Sequence, residues 1–143
     1  MKDNLIATAR ETINASVSKV WDGLTNPDLI KKYMMGAIVD SDWKKGSSIK
    51  WKGEYNGKKY EDHGNILEVK PMETLSYTHY SPLAGKEDVP ENYHTVTVHL
   101  AGDENKTSIT LEQSKNKSEK EKEESEKNWS LMLNGLKDLL EKK

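Results

Sequence analysis

Two histidines and a tyrosine are the residues of this 143-residue chain best suited to chemistry. Tyr77 and His79 stand two apart in "TLSYTHY", and His94 opens the run "HTVTVHL" beyond a stretch with two prolines and a glycine. Side chains at i and i+2 of a strand share a face, so pairing of these two segments would make His79 and His94 neighbours. Three kinds of chemistry suit such a pair: hydrogen bonds that complete the sheet, polar contacts to a bound molecule, or metal and acid–base work. Structural bonding is the first expectation. The metal reading is weakest, because a zinc site takes three or more protein ligands and no third donor stands at a recognisable spacing. His63 and His99 fall on less certain or outward positions and read as surface. Asp40, Asp42, Glu61 and Asp62 read as surface carboxylates near turns or strand ends. The chain has no cysteine, which excludes thiol catalysis, Cys-ligated metals and disulfides. It contains no Gly-x-Ser-x-Gly, no phosphate-binding glycine loop and no His-Glu-x-x-His. No catalytic residue, metal or cofactor is expected.

The elements that must position these groups follow from periodicity. Residues 5–13 predict an opening strand, with Arg10 and Glu11 adjacent, so one charge has to face inward or lie near an end. Val17, Val20, Trp21 and Leu24 follow i, i+3, i+4, i+7, the spacing of one buried helix face, and Ser16 is placed to cap it. Leu29, Ile30, Tyr33 and Met34 form a second stripe. Between the stripes, Pro27 suits the first position of a helix and Asn26 suits its cap, which predicts a corner between two short helices. Alternation of apolar and polar residues then predicts about six strands. Ile49 and Trp51 lie on one dry face, and Val96, Val98 and Leu100 on another. Lys44-Lys45-Gly46, Asn56-Gly57 and the segment 102–105 make the turns. Ile66, Leu67 and Val69 occupy both faces of their strand, which allows a bulge. Short links suit an antiparallel meander with one packed face.

No apolar residue occurs in positions 112–128. Ser118 and Glu121 nevertheless have capping-box spacing, and Lys120/Glu124 and Glu123/Lys127 are i, i+4 pairs, so a long terminal helix is expected from near Ser118. Its second half carries the stripe Trp129, Met132, Leu133, Leu136 and Leu140. Its polar first half is expected to lie in solvent, against the alternative that Ser118, Glu121, Lys122 and Ser125 leave a cavity mouth open and wet.

Bulk composition narrows the function classes. Hydrophobic residues make up 34% of the chain and charged residues 32%, so the core must be economical, and with no Phe it rests on four Trp, six Tyr and five Met. Net charge is −2 and Arg10 is the only arginine, which argues against nucleic acid as a partner. No run approaches the ~18 apolar residues of a membrane span, and the first residues lack the apolar core of a signal peptide. One cytoplasmic domain over residues 1–143 is expected, with no membrane insertion.

The segments "NASVSKVWDGLTNPDLIKKYM", "WKKGSSIKW", "GNILEVKPMETLSYTHY" and "NWSLMLNGLKDLLE" carry, in this order, a resemblance to the family of the activator of heat-shock protein 90 ATPase. That family lies within the START-like (SRPBCC) superfamily. The resemblance implies an α+β helix-grip fold, a curved antiparallel sheet wrapped around the terminal helix with two short helices after the first strand. It also implies an internal cavity, which relatives use for lipids, sterols, polyketides or other apolar molecules. Where the family leads one to expect an aromatic such as Trp, this chain has His79. Eukaryotic activators carry a separate N-terminal domain that engages the chaperone. No part of these residues corresponds to it, so a chaperone is the least expected partner.

Inward strand parity together with the helix stripes nominates Tyr33, Met34, Trp51, Tyr77, His79, His94, Val96, Trp129 and Met132 as lining candidates. Taken one at a time, each is more often plain core. As a set, they combine apolar walls with a few hydrogen-bonding groups, the mixture typical of small-molecule sites. The expected function is non-enzymatic binding of a small apolar or amphipathic molecule, as a carrier, sequestering protein or stress-related sensor. The alternatives are an enzyme of cyclase or hydrolase type using the cavity Tyr and His groups, and a chaperone-associated module acting through its surface.

Overall fold

The corner between the two short helices forms as its residues dictate. In the computed structural model, which describes residues 5–34, 36–55, 57–81, 87–116 and 118–141, α1 (Val17–Thr25) follows strand β1 (Leu5–Ile13) and α2 (Pro27–Tyr33) follows at once. Ser16 Oγ accepts the Lys19 N–H at 3.2 Å, and Asn26 Oδ1 accepts that of Asp28 at 3.0 Å, with Pro27 at the first helical position. Six strands come next: β2 (Ile38–Ser41), β3 (Ser48–Tyr55), β4 (Lys58–Lys70), β5 (Thr74–His79), β6 (His94–Gly102) and β7 (Thr107–Asn116). Helix α3 (Glu119–Glu141) closes the chain. Ser118 caps it, its Oγ accepting the Glu121 N–H at 3.1 Å. No helix of the described residues is long and apolar enough to cross a membrane.

The seven strands form one antiparallel sheet in the order β1-β7-β6-β5-β4-β3-β2. The register shifts between Leu5/Ala7 of β1 and Asn116/Gln113, with the extra residue in β7, and between Ile66/Glu68 and Tyr77/Ser76, with the extra residue in β4, are bulges, which bend a sheet locally. The second resolves the mixed parity of its segment: Ile66 is buried while Leu67 is exposed. Leu133 and Leu136 of α3 are fully buried against the inner face of the sheet, among Ile13, Ile49, Ile66, Val96, Ile109 and Leu111.

Side chains of α3 latch it to β1. Glu126 accepts the Thr8 N–H at 2.9 Å, Glu141 accepts the Asn14 N–H at 2.8 Å, and Lys137 Nζ donates to the Thr12 carbonyl at 2.7 Å. These backbone N–H donors, more than the lysines nearby, hold both carboxyls below the usual range. Arg10 faces out, and Glu11 has inward parity where the positive charge of Lys137 lies near it. The polar half of α3 does not hang in solvent as expected. Ser125 Oγ donates to Asn116 Oδ1 at 3.1 Å, and Trp129 Nε1 donates to Gln113 Oε1 at 2.6 Å. Hydrogen bonds do there what the apolar stripe does further along.

Candidate ligand-binding site

The inner face of the sheet and the three helices leave small spaces between them. Tyr33, Met34, Trp51, Tyr77, Trp129 and Met132 surround a cavity of about 30 Å³, together with Trp43, Leu24, Ile30 and core residues of the sheet. Trp43 enters from the turn between β2 and β3 with a left-handed backbone (φ 57°), and its N–H is held by Ser41 Oγ at 3.1 Å. A second chamber of about 60 Å³ adjoins the first, sharing Met34, Trp51, Tyr77 and Trp129, and adds Tyr60, Asp62, His79 and Ala37. Outside these lies a groove of about 440 Å³ between α2, α3 and the strands β3 and β4. It is lined by Tyr33, Met34, Glu54, Tyr60, Asn128, Leu131 and Met132. Met34 lines all three spaces, and Tyr60 lines both the chamber and the groove.

Two expected members stand elsewhere. Val96 is fully buried in the core. His94 is the cross-strand partner of His79, but its Nδ1 lies 2.8 Å from the Ser114 carbonyl, so it bonds within the sheet.

The phenols are held neutral. Tyr33 donates its hydroxyl to the Gly23 carbonyl at 2.7 Å, and burial, with the nearby Tyr77, pushes its pKa far up. Burial also pushes Tyr77 well above the usual tyrosine range.

Asp62 corrects its reading as a surface carboxylate. It lies inside β4, opposite Trp51 of β3, and its side chain is 15% exposed. Oδ2 is 3.0 Å from His79 Nε2. An ionised carboxylate only accepts, so Nε2 is the protonated nitrogen and donates. Oδ1 is buried with no hydrogen-bond partner among the described residues. Trp51 meets the His79 ring edge-on at 4.9 Å and Tyr77 at 5.2 Å, which holds the imidazole from its other side.

Two glycines make this possible. A Cβ on Gly53 would come 2.6 Å from the Tyr60 hydroxyl, so the bare backbone of β3 leaves room for that ring. A Cβ on Gly64 would come 1.7 Å from the Thr78 carbonyl oxygen, so only glycine lets β4 approach β5 this closely beside Asp62 and His79.

His63 faces outward, in line with its reading as surface, though its side chain is partly covered. Its ring packs against both Tyr80 at 5.4 Å and Tyr93 at 5.9 Å, which also meet each other at 5.3 Å, with Nε2 3.1 Å from Asp88 and 3.0 Å from the Tyr93 hydroxyl. Burial first, then the hydrogen bond to Asp88, pushes the Tyr93 pKa up to about 12. Neither His–Asp pair has a third His, Cys, Asp or Glu to complete a metal site among the described residues. Parity alone finds Tyr60 and Asp62 once β4 is known to run through them. No sequence signal marks Trp43 or the stack around His63.

The model of the family described as activator of Hsp90 ATPase homolog 1-like protein matches residues 14–141. The solution structure of ChR145 from Cytophaga hutchinsonii is 51% identical, with a TM-score of 0.86, covering 99% of this chain and 97% of that one. The Aha1 dimer from Colwellia psychrerythraea is 23% identical with a TM-score of 0.73, covering 96% and 97% of the two chains. CalU16 from Micromonospora echinospora is 20% identical with a TM-score of 0.71, covering 97% and 87%. At those identities the last two share the fold alone. No curated protein matches the sequence. Matched along nearly its whole length, the chain belongs to the family of activator of Hsp90 ATPase homolog 1-like proteins, on the helix-grip fold of START-like proteins.

Proposed function

We propose that this protein binds a small apolar or amphipathic molecule, without transforming it, between α3 and the inner face of the sheet. The carrying observation is one chain of adjoining spaces, walled by Trp, Tyr and Met, that begins at the outer groove and ends at Asp62 and His79. Small-molecule pockets commonly measure about 300–1,000 Å³. On that scale only the groove takes the body of a ligand, and the inner chamber takes one end of it. Met34 and Met132 border both the groove and the inner cavity, and unbranched thioether side chains repack readily around different shapes.

The test is native mass spectrometry of protein purified gently from its own cells, set against the same sample denatured. A reproducible small mass lost on denaturation is expected. A clean apo mass, with no binding of added amphiphiles to the purified protein, would overturn the proposal. Added ligand at ~100 times its Kd should raise stability by roughly 2.7 kcal/mol.

One observation favours an enzyme as the second reading. His79 sits in the chamber with its orientation set by Asp62, as a general base would. Incubation separates the two readings: a carrier returns its ligand chemically unchanged, whereas an enzyme converts it at a rate that depends on His79.

A further inference from the structure

The chamber around Asp62 is more specific than a greasy pocket requires. One carboxylate oxygen is engaged by His79, and the other is buried with no partner among the described residues. A buried polar atom left without a hydrogen bond costs free energy, so this oxygen calls for a donor. Around it stand the rings of Trp51, Tyr60, Tyr77 and Trp129, lining the same 60 Å³ space. Aromatic faces carry negative potential and attract a cation placed within about 6 Å of the ring centre. The Tyr60 hydroxyl is raised by burial and further by the charge of Asp62, which places the phenol within that charge's field. Among the described residues no Lys or Arg lines the chamber or the groove, and the one other charged group there is Glu54. A carboxylate or phosphate on the ligand would therefore meet negative charge and, apart from His79, no group able to carry a positive one.

We propose that this chamber is a head-group site for a protonated amine, whose N–H donates to Asp62 Oδ1 while the aromatic rings enclose its charge. The apolar body of the ligand then lies past Tyr60 and Met34 in the outer groove. This rests on the binding function proposed above and names the ligand class: an amphipathic amine, not a fatty acid.

The test compares three probes with one tail, dodecylamine, dodecanol and dodecanoate, below their micellar concentrations at pH 7. Binding is followed by calorimetry and by the fluorescence of the chain's tryptophans. Dodecylamine should bind at least about tenfold more tightly than dodecanol, and more tightly still than dodecanoate. Asp62→Asn should abolish the preference while leaving dodecanol binding in place. Asp42→Asn, which removes the same charge from an exposed site, should preserve it. If Asp62→Asn does not fold, Tyr60→Leu decides, and should weaken dodecylamine about threefold or more without weakening dodecanol. Equal affinity for all three probes, as when a water molecule satisfies Oδ1, would overturn the head-group assignment and leave the binding function standing. So would a preference for dodecanoate, or an amine preference that survives Asp62→Asn. Failure of all three probes to bind would remove both proposals.

Discussion

Asp62 and His63 are consecutive residues of one strand, and each belongs to a His–Asp pair, yet the pairs lie on opposite faces of the sheet. Inside, Asp62 holds His79 at 3.0 Å with side chains 15% and 28% exposed. Outside, His63 holds Asp88 at 3.1 Å with side chains 33% and 49% exposed. Distance and chemistry are alike, and the surroundings differ. The inner carboxylate keeps an oxygen with no partner among the described residues, beside Trp51 and Tyr60, whereas the outer one bonds the Tyr93 hydroxyl and is half exposed. Under the proposal above, the inner pair is the one that receives a donor from a ligand. The outer pair fastens the segment after residue 86, through Asp88 and Tyr93, to β4.

This contrast can be broken at its strongest point by Trp51→Ala, which removes the ring against which both Tyr77 and His79 rest. A loss of about 3–5 kcal/mol in urea unfolding is expected, as for a large aromatic deleted from a core. A loss below about 1 kcal/mol would mean that the inner face is loosely packed and differs little from the outer one. The two pairs are next compared directly. His79→Ala strands a mostly buried carboxylate and should cost about 1–3 kcal/mol. His63→Ala breaks a solvent-screened pair and should cost about 1 kcal/mol or less. Reversal of that order would refute the assignment of inner and outer roles. The smallest effect belongs to alkali. Tyr93 binds its proton more tightly in the folded chain than its ordinary value of 10.0, so its contribution is complete below pH 10 and fades as pH rises toward about 12. The stability difference between wild type and Tyr93→Phe should therefore change only in that window. A difference that is flat across it would show that neither burial nor Asp88 holds the proton on the hydroxyl.

Much of this architecture is legible in local signals. Asn26-Pro27, the Ser118 cap and the alternating strands each follow from interactions within a few residues, and the strand and helix bounds agree closely with those expectations. Asp62 is legible as an inward position once β4 is placed, but what it meets there is not, for the opposite reason. Its partner His79 is seventeen positions away, and their meeting depends on a bulge at Ile66 and on Gly64 pressing against Thr78. Periodicity reports which way a side chain faces, not what lies opposite it, so a carboxylate between Glu61 and His63 resembles any other surface charge. The stack of His63, Tyr80 and Tyr93 joins β4, the residue after β5 and the residue before β6, and no single window of sequence contains it. The polar half of α3 misleads similarly, since its anchors are hydrogen bonds to Asn116, Gln113 and Thr8 rather than an apolar stripe.

The latch between α3 and β1 has a further consequence for how copies of the chain meet one another. β1 is the first strand of the sheet, with β7 as its one neighbour, so alternate N–H groups face away from the sheet. Those of Thr8 and Asn14 are taken by Glu126 and Glu141, that of Thr12 by Glu11 at 3.1 Å, and the Thr12 carbonyl by Lys137. The opposite edge, β2, is only four residues long. An open edge is a template on which another strand can add, and short or covered edges prevent it. The carboxylates that hold the helix therefore also seal the sheet against growth. Their lowered pKa values mean that both duties are kept above the ordinary glutamate range and surrendered together as pH falls through the folded-state values. Acid therefore weakens the hold on the helix and the cover of this edge over the same pH range.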